Sequence, residues 1–209
     1  MGKTEIQKLL NVMKKLRDPQ KGCPWDKKQT IETIIPHTIE EVYEVAEQVY
    51  NKNFNKLKEE LGDLLFQVIY ISQIASEKKK FNFNDVVKTI TSKMINRHPH
   101  VFKNKKFKNL KNFKIWWENS KIKKKQDSIL DNIPITYPAL LEANKIQKKV
   151  ASVGFEYKNN LEAIKKVQEE INELKIEVKN NNKKKIKEEL GDLIFAALDV
   201  SRKLNLNPE

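Results

Sequence analysis

The 209 residues contain a single cysteine, Cys23, so no internal disulfide can form. A reducing compartment fits this, as would any compartment that tolerates a free thiol. No stretch of 18 apolar residues occurs, so no segment is expected to span a bilayer. The opening MGKTEIQKLLNVMKKLRD is amphipathic and lacks the apolar run of a signal peptide, which reads as a cytoplasmic protein. Glycine and proline are scarce, at five and seven. Long uninterrupted segments follow, favouring helices over many short strands joined by turns. Arginine is nearly missing: only Arg17, Arg97 and Arg202 stand among 41 basic residues. The net charge of +13 would suit a polyanionic partner. However, lysine is the poorer bidentate phosphate ligand, and abundant Lys, Asn and Ile also arise from AT-rich coding. A specific nucleic-acid partner is therefore not expected.

What the chain does have is a phrase stated twice. HTIEEVYEV leads to EELGDLLFQV in residues 37–68, and KVQEEINEL leads to EELGDLIFAA in residues 166–197. Glu40, Glu41, Glu44, Glu60, Gly62 and Asp63 recur at a constant offset (169 − 40 = 129) as Glu169, Glu170, Glu173, Glu189, Gly191 and Asp192.

The periodicity predicts helices over 4–16, from Thr30 or Pro36 to Tyr50, 56–78, from about Asn84 to Arg97, 160–179 and 183–204. Residues 18–26 and 81–85 read as loops, with Asn84 as an N-cap. A lysine- and asparagine-rich stretch covers 103–114. The chain divides into a first unit at 1–118, a linker at 119–140 and a second unit at 141–209. Trp116 and Trp117 could stack on bases, but such a pair more commonly anchors a short helix to a core.

On a helical wheel Glu41 and Glu44 fall on one face, while Ile35, Val42, Val45 and Val49 form an apolar one. Glu60 and Asp63 share a face of the next helix. A short break joins the two helices, so they pack antiparallel and the four carboxylates can converge. Clustered carboxylates repel unless neutralised, and an all-oxygen set suits Mg²⁺ or Mn²⁺. The bland alternative is a solvated acidic face paired with lysines. Recurrence of the set with Glu and Asp identities intact favours metal. A di-iron centre would need Glu-x-x-His, which neither copy has; His37, His98 and His100 read as structural or phosphate-facing. Phosphates also need cations. Lys93 and Arg97 lie four apart on one helix face, and Lys166 precedes the second glutamate pair.

These residues resemble the MazG-type nucleoside triphosphate pyrophosphohydrolases. The likeness covers nearly the whole chain, through RDPQKGCPWDKKQT, HTIEEVYEV, EELGDLLFQV, NRHPHVF, ILDNIP, PALLEANKIQKK and VGFEY. It implies an all-α fold of two tandem MazG-like helical units that pair in homodimers of four-helix-bundle type. It also implies Mg²⁺-dependent hydrolysis of nucleoside triphosphates between the α and β phosphates, giving a nucleoside monophosphate and pyrophosphate. The metal ligands it implies are Glu41, Glu44, Glu60 and Asp63, with Glu170, Glu173, Glu189 and Asp192 as counterparts. Glu40 and Glu169 match the first glutamate of each pair and would support the metal or activate water. Relative to the family, the second unit reads as truncated at its C-terminus, without a following basic helix. The first copy is accordingly expected to carry at least part of the activity. Asp199, where the first copy has Tyr70, is expected to extend the second acidic face. The alternative is a non-catalytic helical binding module with decayed sites. Base preference and physiological role are not legible.

Overall fold

A computed structural model describes residues 4–103, 105–110, 112–113, 116–117, 128–131 and 133–208. Residues 119–127 and 132 of the expected linker lie outside the described residues. The chain divides into two compact units, Met1–Leu110 and Lys111–Glu209. Both are helical, and no strand occurs among the described residues.

In the first unit α1 is Glu5–Leu16, α2 Pro24–Lys28, α3 Ile31–Tyr50, α4 Phe54–Glu77, α5 Phe83–Arg97 and α6 Pro99–Phe102. Thr30 starts α3 through a reciprocal pair of hydrogen bonds with Thr33, so Pro36 lies inside the helix. Pro24 begins α2 within the span expected to be loop, because proline at the first helical position forfeits only an amide with no helical acceptor. The cap of α5 is Asn82, not Asn84: Asn82 accepts from the Asp85 amide, and the Asp85 carboxylate accepts from the Asn82 amide. That reciprocal bonding needs a side-chain acceptor three residues on, which Asn82 has in Asp85 and Asn84, followed by Val87, lacks.

Helices α3 and α4 form a hairpin, with α1 and α5 packed on α4. The core is Met13, Ile34, Ile69, Tyr70 and Ile74, backed by Leu10, Phe66 and Phe83. The expected apolar face of α3 is not in it. Ile35, Val42 and Val49 are exposed, as are Leu61 and Leu65 of α4.

A polar lock ties α1, the following loop and the end of α4 together. Arg17 donates from Nε and Nη2 to the Glu77 carboxylate at 2.9 and 2.7 Å, and from Nη1 to the carbonyls of Asp26 and Gln29. Its guanidinium lies 5.6 Å from the centre of the Tyr70 ring, and the Tyr70 hydroxyl donates to Asp26 Oδ1 at 2.8 Å. Burial and the Asp26 carboxylate push the Tyr70 phenol well above its ordinary value, keeping it a neutral donor.

In the second unit α7 is Ala139–Ala151, α8 Asn160–Lys179 and α9 Lys183–Lys203. Helices α8 and α9 repeat the hairpin, and α7 packs on α9. The lock reappears with the charges moved. Arg202 on α9 donates to Asp199 Oδ1 at 2.7 Å and reaches Glu156 of the preceding loop at 3.4 Å, while Lys203 donates to the Tyr157 carbonyl. Asp199 is thus a buried, paired anion of the lock rather than an extension of the acidic face. Once tyrosine becomes aspartate at this packed position, a cation must come with it.

Candidate active site

The two hairpins set the site. In each, a three-residue break turns the chain with one residue in the left-handed region: Lys52 at φ 54° and Asn181 at φ 55°. The next residue caps the second helix. Asn53 Oδ1 accepts from the Lys56 amide, and Asn182 Oδ1 accepts from the Lys185 amide. The same turn gives the same helix phase, so carboxylates of the repeated set meet in both hairpins.

Oxygens of Glu41, Glu60 and Asp63 lie within 4.8 Å of one another, and so do oxygens of Glu170, Glu173 and Glu189. At the constant offset these triplets together sample all four repeated positions. Glu44 and Asp192, the fourth members, act on them through charge. Burial first, then Asp63 and Glu44, raise the Glu41 carboxyl above its ordinary range, against a lowering hydrogen bond from Gln67. Glu60 is raised by desolvation, then by Glu44, Asp63 and Glu59, with Lys56 opposing. Glu189 is raised by desolvation, then by Glu173, Asp192 and Glu170. Both clusters hold more negative charge than their surroundings compensate. Each triplet offers hard oxygen donors without histidine or cysteine, a set that could hold a divalent cation.

The other expected residues are placed differently. Glu40 and Glu169 lie outside both triplets and are exposed; Glu40 is 3.7 Å from His37 Nδ1, and Glu169 accepts from Lys166 at 2.7 Å. Lys166 also contacts Glu170 at 2.8 Å, so it rests on a candidate metal ligand. Lys93 is exposed and Arg97 half-buried on α5. The His98 ring lies 2.8 Å from the Met94 carbonyl, and His37 packs edge-on to Trp25. Trp116 and Trp117 pack against Phe113. A cleft of about 240 Å³ between α1, α4 and the start of α5, lined by Gln7, Asn11, Ser72 and Gln73 among others, contains none of the carboxylates.

One contributor escaped the sequence reading. Gln67 Nε2 donates to Glu41 Oε1 at 3.2 Å, and its own Oε1 is buried without a partner. It follows Asp63 by four residues, so the wheel that grouped Glu60 and Asp63 also carries Gln67. The second copy has Ala196 at this position.

Comparison with known proteins places the chain in a family. The family model for the MazG nucleotide pyrophosphohydrolase domain matches residues 29–102 and 158–206, taking in each hairpin. The nucleoside triphosphate pyrophosphohydrolase of Escherichia coli (strain K12) is 44% identical over 211 residues, covering 98% of this chain and 80% of that protein. The nucleoside triphosphate pyrophosphohydrolase/pyrophosphatase MazG of Thermotoga maritima is 42% identical over 207 residues, covering 98% of this chain and 78% of that protein. The crystal structure of a mazG-related protein from Thermotoga maritima aligns at a TM-score of 0.47 and 28% identity, covering 56% of this chain and 98% of that one. With both carboxylate hairpins inside the matched segments, the chain is a hydrolase that belongs to the MazG nucleotide pyrophosphohydrolase family.

Proposed function

We propose that this protein hydrolyses nucleoside triphosphates to a nucleoside monophosphate and pyrophosphate, with Mg²⁺ as cofactor and Mn²⁺ as a substitute. The observation that carries this reading is the pair of carboxylate clusters, each short of positive charge and each built by the same hairpin. Glu41, Glu44, Glu60 and Asp63 would hold the metal in the first copy, and Glu170, Glu173, Glu189 and Asp192 in the second. Bound there, Mg²⁺ neutralises phosphate charge and orders water for in-line attack. Water adds to one phosphorus of the α–β bridge, the bridging oxygen leaves with the other, and a proton is released. Glu40 and Glu169, exposed beside the clusters, would take that proton or orient the water. Lys93, Arg97 and Lys166 would hold the distal phosphates.

The two copies are read as residues 1–118 and 141–209 joined through 119–140. The protein would act in the cytoplasm on the nucleotide pool, without a specific nucleic-acid partner. Among the described residues, no helix is long and apolar enough to cross a membrane. The apolar residues left open on α3 and α4 support a homodimer in which a second chain completes a four-helix bundle. Product analysis with a panel of ribo- and deoxynucleoside triphosphates, in Mg²⁺ and in EDTA, tests the reaction. Monophosphate and pyrophosphate are expected in Mg²⁺ alone. Diphosphate and orthophosphate, or no turnover of any triphosphate, would overturn it.

A further inference from the structure

The cleft between α1, α4 and the start of α5 lies within the first unit and shares no residue with either carboxylate cluster. Its volume is about 240 Å³, enough for one small molecule. Leu10, Ile69 and Phe83 supply the apolar part of its wall. Charged residues make up 33% of the chain, yet among the described residues lining this cleft only Lys14 is charged. Some lining groups are already engaged. Ser72 Oγ donates to the Val68 carbonyl at 2.7 Å, Gln73 Nε2 donates to Glu77 at 3.0 Å, and Asn82 caps α5. The side chains of Gln7, Asn11, Lys14 and Asn84 are not: among the described residues none of them takes part in a hydrogen bond or ion pair. A helical hairpin does not call for this chemistry, since the position of Gln73 holds Arg202 in the second copy, where it is tied to Asp199. Three unengaged carboxamides and one ammonium therefore ring an apolar wall.

We propose that this cleft is a separate nucleotide site, which takes a nucleoside monophosphate without a metal ion. A carboxamide carries a donor and an acceptor side by side, and this matches the paired donor and acceptor on the edge of a nucleobase. The Phe83 ring, with Leu10 and Ile69, offers the base an apolar surface. Lys14 supplies one charge-assisted contact, which fits a single phosphate group. A triphosphate is a poor match. It carries more negative charge than one ammonium offsets, and with no carboxylate among the described lining residues the cleft has no ligand set for a bridging divalent cation. The ligand class is that of the product proposed above, so its supply by this protein rests on that reading; the binding itself does not. Gln73 links the cleft to the lock through Glu77, so an occupant would also brace α1, α4 and α5 against one another.

The test is calorimetric titration of the full chain, in EDTA, with AMP, GMP, CMP and UMP, and with inorganic phosphate and the free nucleosides as controls. At least one monophosphate should bind as a single equivalent per chain, and more tightly than its nucleoside or phosphate alone. Lys14→Gln should weaken that binding by about tenfold or more, the loss of one charge-assisted contact. Asn11→Leu should weaken it too and change the order of preference among the four bases. Lys14 is exposed, so its replacement spares the fold. Lys93→Gln and Lys166→Gln, which remove cations assigned above to the carboxylate sites, should leave the affinity unchanged. No saturable binding of any monophosphate, equally tight binding of phosphate alone, or binding that survives Lys14→Gln and is lost in Lys166→Gln would overturn the proposal. Failure of the hydrolysis reaction would leave these outcomes untouched, so the two readings fail separately.

Discussion

Arg17→Met cuts the lock of the first unit at its centre while keeping much of the side-chain volume. The Arg17 side chain is 6% exposed and makes three hydrogen bonds to Glu77, plus bonds to the carbonyls of Asp26 and Gln29. Losing a partner from a buried ion pair costs about 3–5 kcal/mol. Glu77 is 36% exposed and can regain water, which lowers the figure, while the two carbonyls keep it from vanishing; about 2–4 kcal/mol remains. For a unit of roughly a hundred residues each kcal/mol moves the midpoint about 4 °C, so the first unit should melt about 8–16 °C earlier. Scanning calorimetry resolves the two units if they melt separately, and near-ultraviolet circular dichroism follows Tyr70 and Trp25 in the first. The pH dependence supplies a second check. Burial alone would raise the Glu77 carboxyl, but hydrogen bonds from Arg17 and Gln73 and the Arg17 charge outweigh it and hold the group below its ordinary range. A depressed carboxyl contributes stability that is complete above the unfolded value, about 4.3. That contribution is lost as pH falls through the folded value. The gap between wild type and Arg17→Met should therefore narrow below about pH 4 without closing, because the two carbonyls accept at any pH. A midpoint shift under about 3 °C at neutral pH would refute the lock, because at about 4 °C per kcal/mol it leaves less than one hydrogen bond's worth of stabilisation.

Other perturbations act on the clusters. Glu60→Gln and Glu189→Gln each remove a ligand and a source of repulsion, so each should lower the Mg²⁺-dependent activity of its own copy by about a hundredfold or more while raising the melting point of the metal-free chain; a lowered melting point would show that these acids stabilise the fold. Since the Glu41, Glu60 and Glu189 carboxyls are raised, the native state binds more protons than the unfolded one between about pH 4 and the raised values. Their contribution to metal-free stability therefore falls as pH climbs through that window, and saturating Mg²⁺ should flatten the slope in urea titrations. Gly62 lies mid-helix with open space where a Cβ would go, so Gly62→Ala should stabilise the metal-free chain by about 0.5–1 kcal/mol. A fall in activity from the same change would indicate that substrate or a second chain comes close to that backbone.

Much of this architecture is legible because the relevant signals are local. The α3–α4 and α8–α9 hairpins follow from helical period plus an asparagine turn, and Asn53 and Asn182 cap from a fixed position. The carboxylates meet because helix phase is set by that turn. Tertiary choices are what local reading misses. Asn82 and Asn84 are equivalent by type, and only the position of Asp85 selects between them. The face holding Val42 and Val49 is apolar and periodic, which the sequence reads as core, yet burial depends on what packs there, and among the described residues of the first unit Val42 and Val49 stay exposed. Asp199 looked like a further ligand because acids on one helix face share a phase. Its partner Arg202 lies three residues on, and an arginine within reach turns a candidate ligand into half of an ion pair.

The two copies also separate what the fold requires from what the chemistry requires. The fold tolerates exchange: Tyr70 becomes Asp199, Gln73 becomes Arg202, and the loop tie passes from Arg17 gripping Glu77 to Arg202 and Lys203 gripping Glu156. Such swaps succeed because a lock needs only opposite charges at a suitable distance, whichever side supplies which. The cluster positions show no exchange of this kind: four carboxylates keep their places and their Glu or Asp identity in both copies. Stability cannot be the reason. The Glu41, Glu60 and Glu189 carboxyls, raised by desolvation and by neighbouring acids, cost folding free energy at neutral pH, and glutamine at those positions would relieve it. Gln67 and Lys166 relieve it only partly, from outside the set, and by different means. A destabilising arrangement built twice, with its supports free to vary around it, is the pattern expected of the cation site proposed above, where the cation would supply the missing charge.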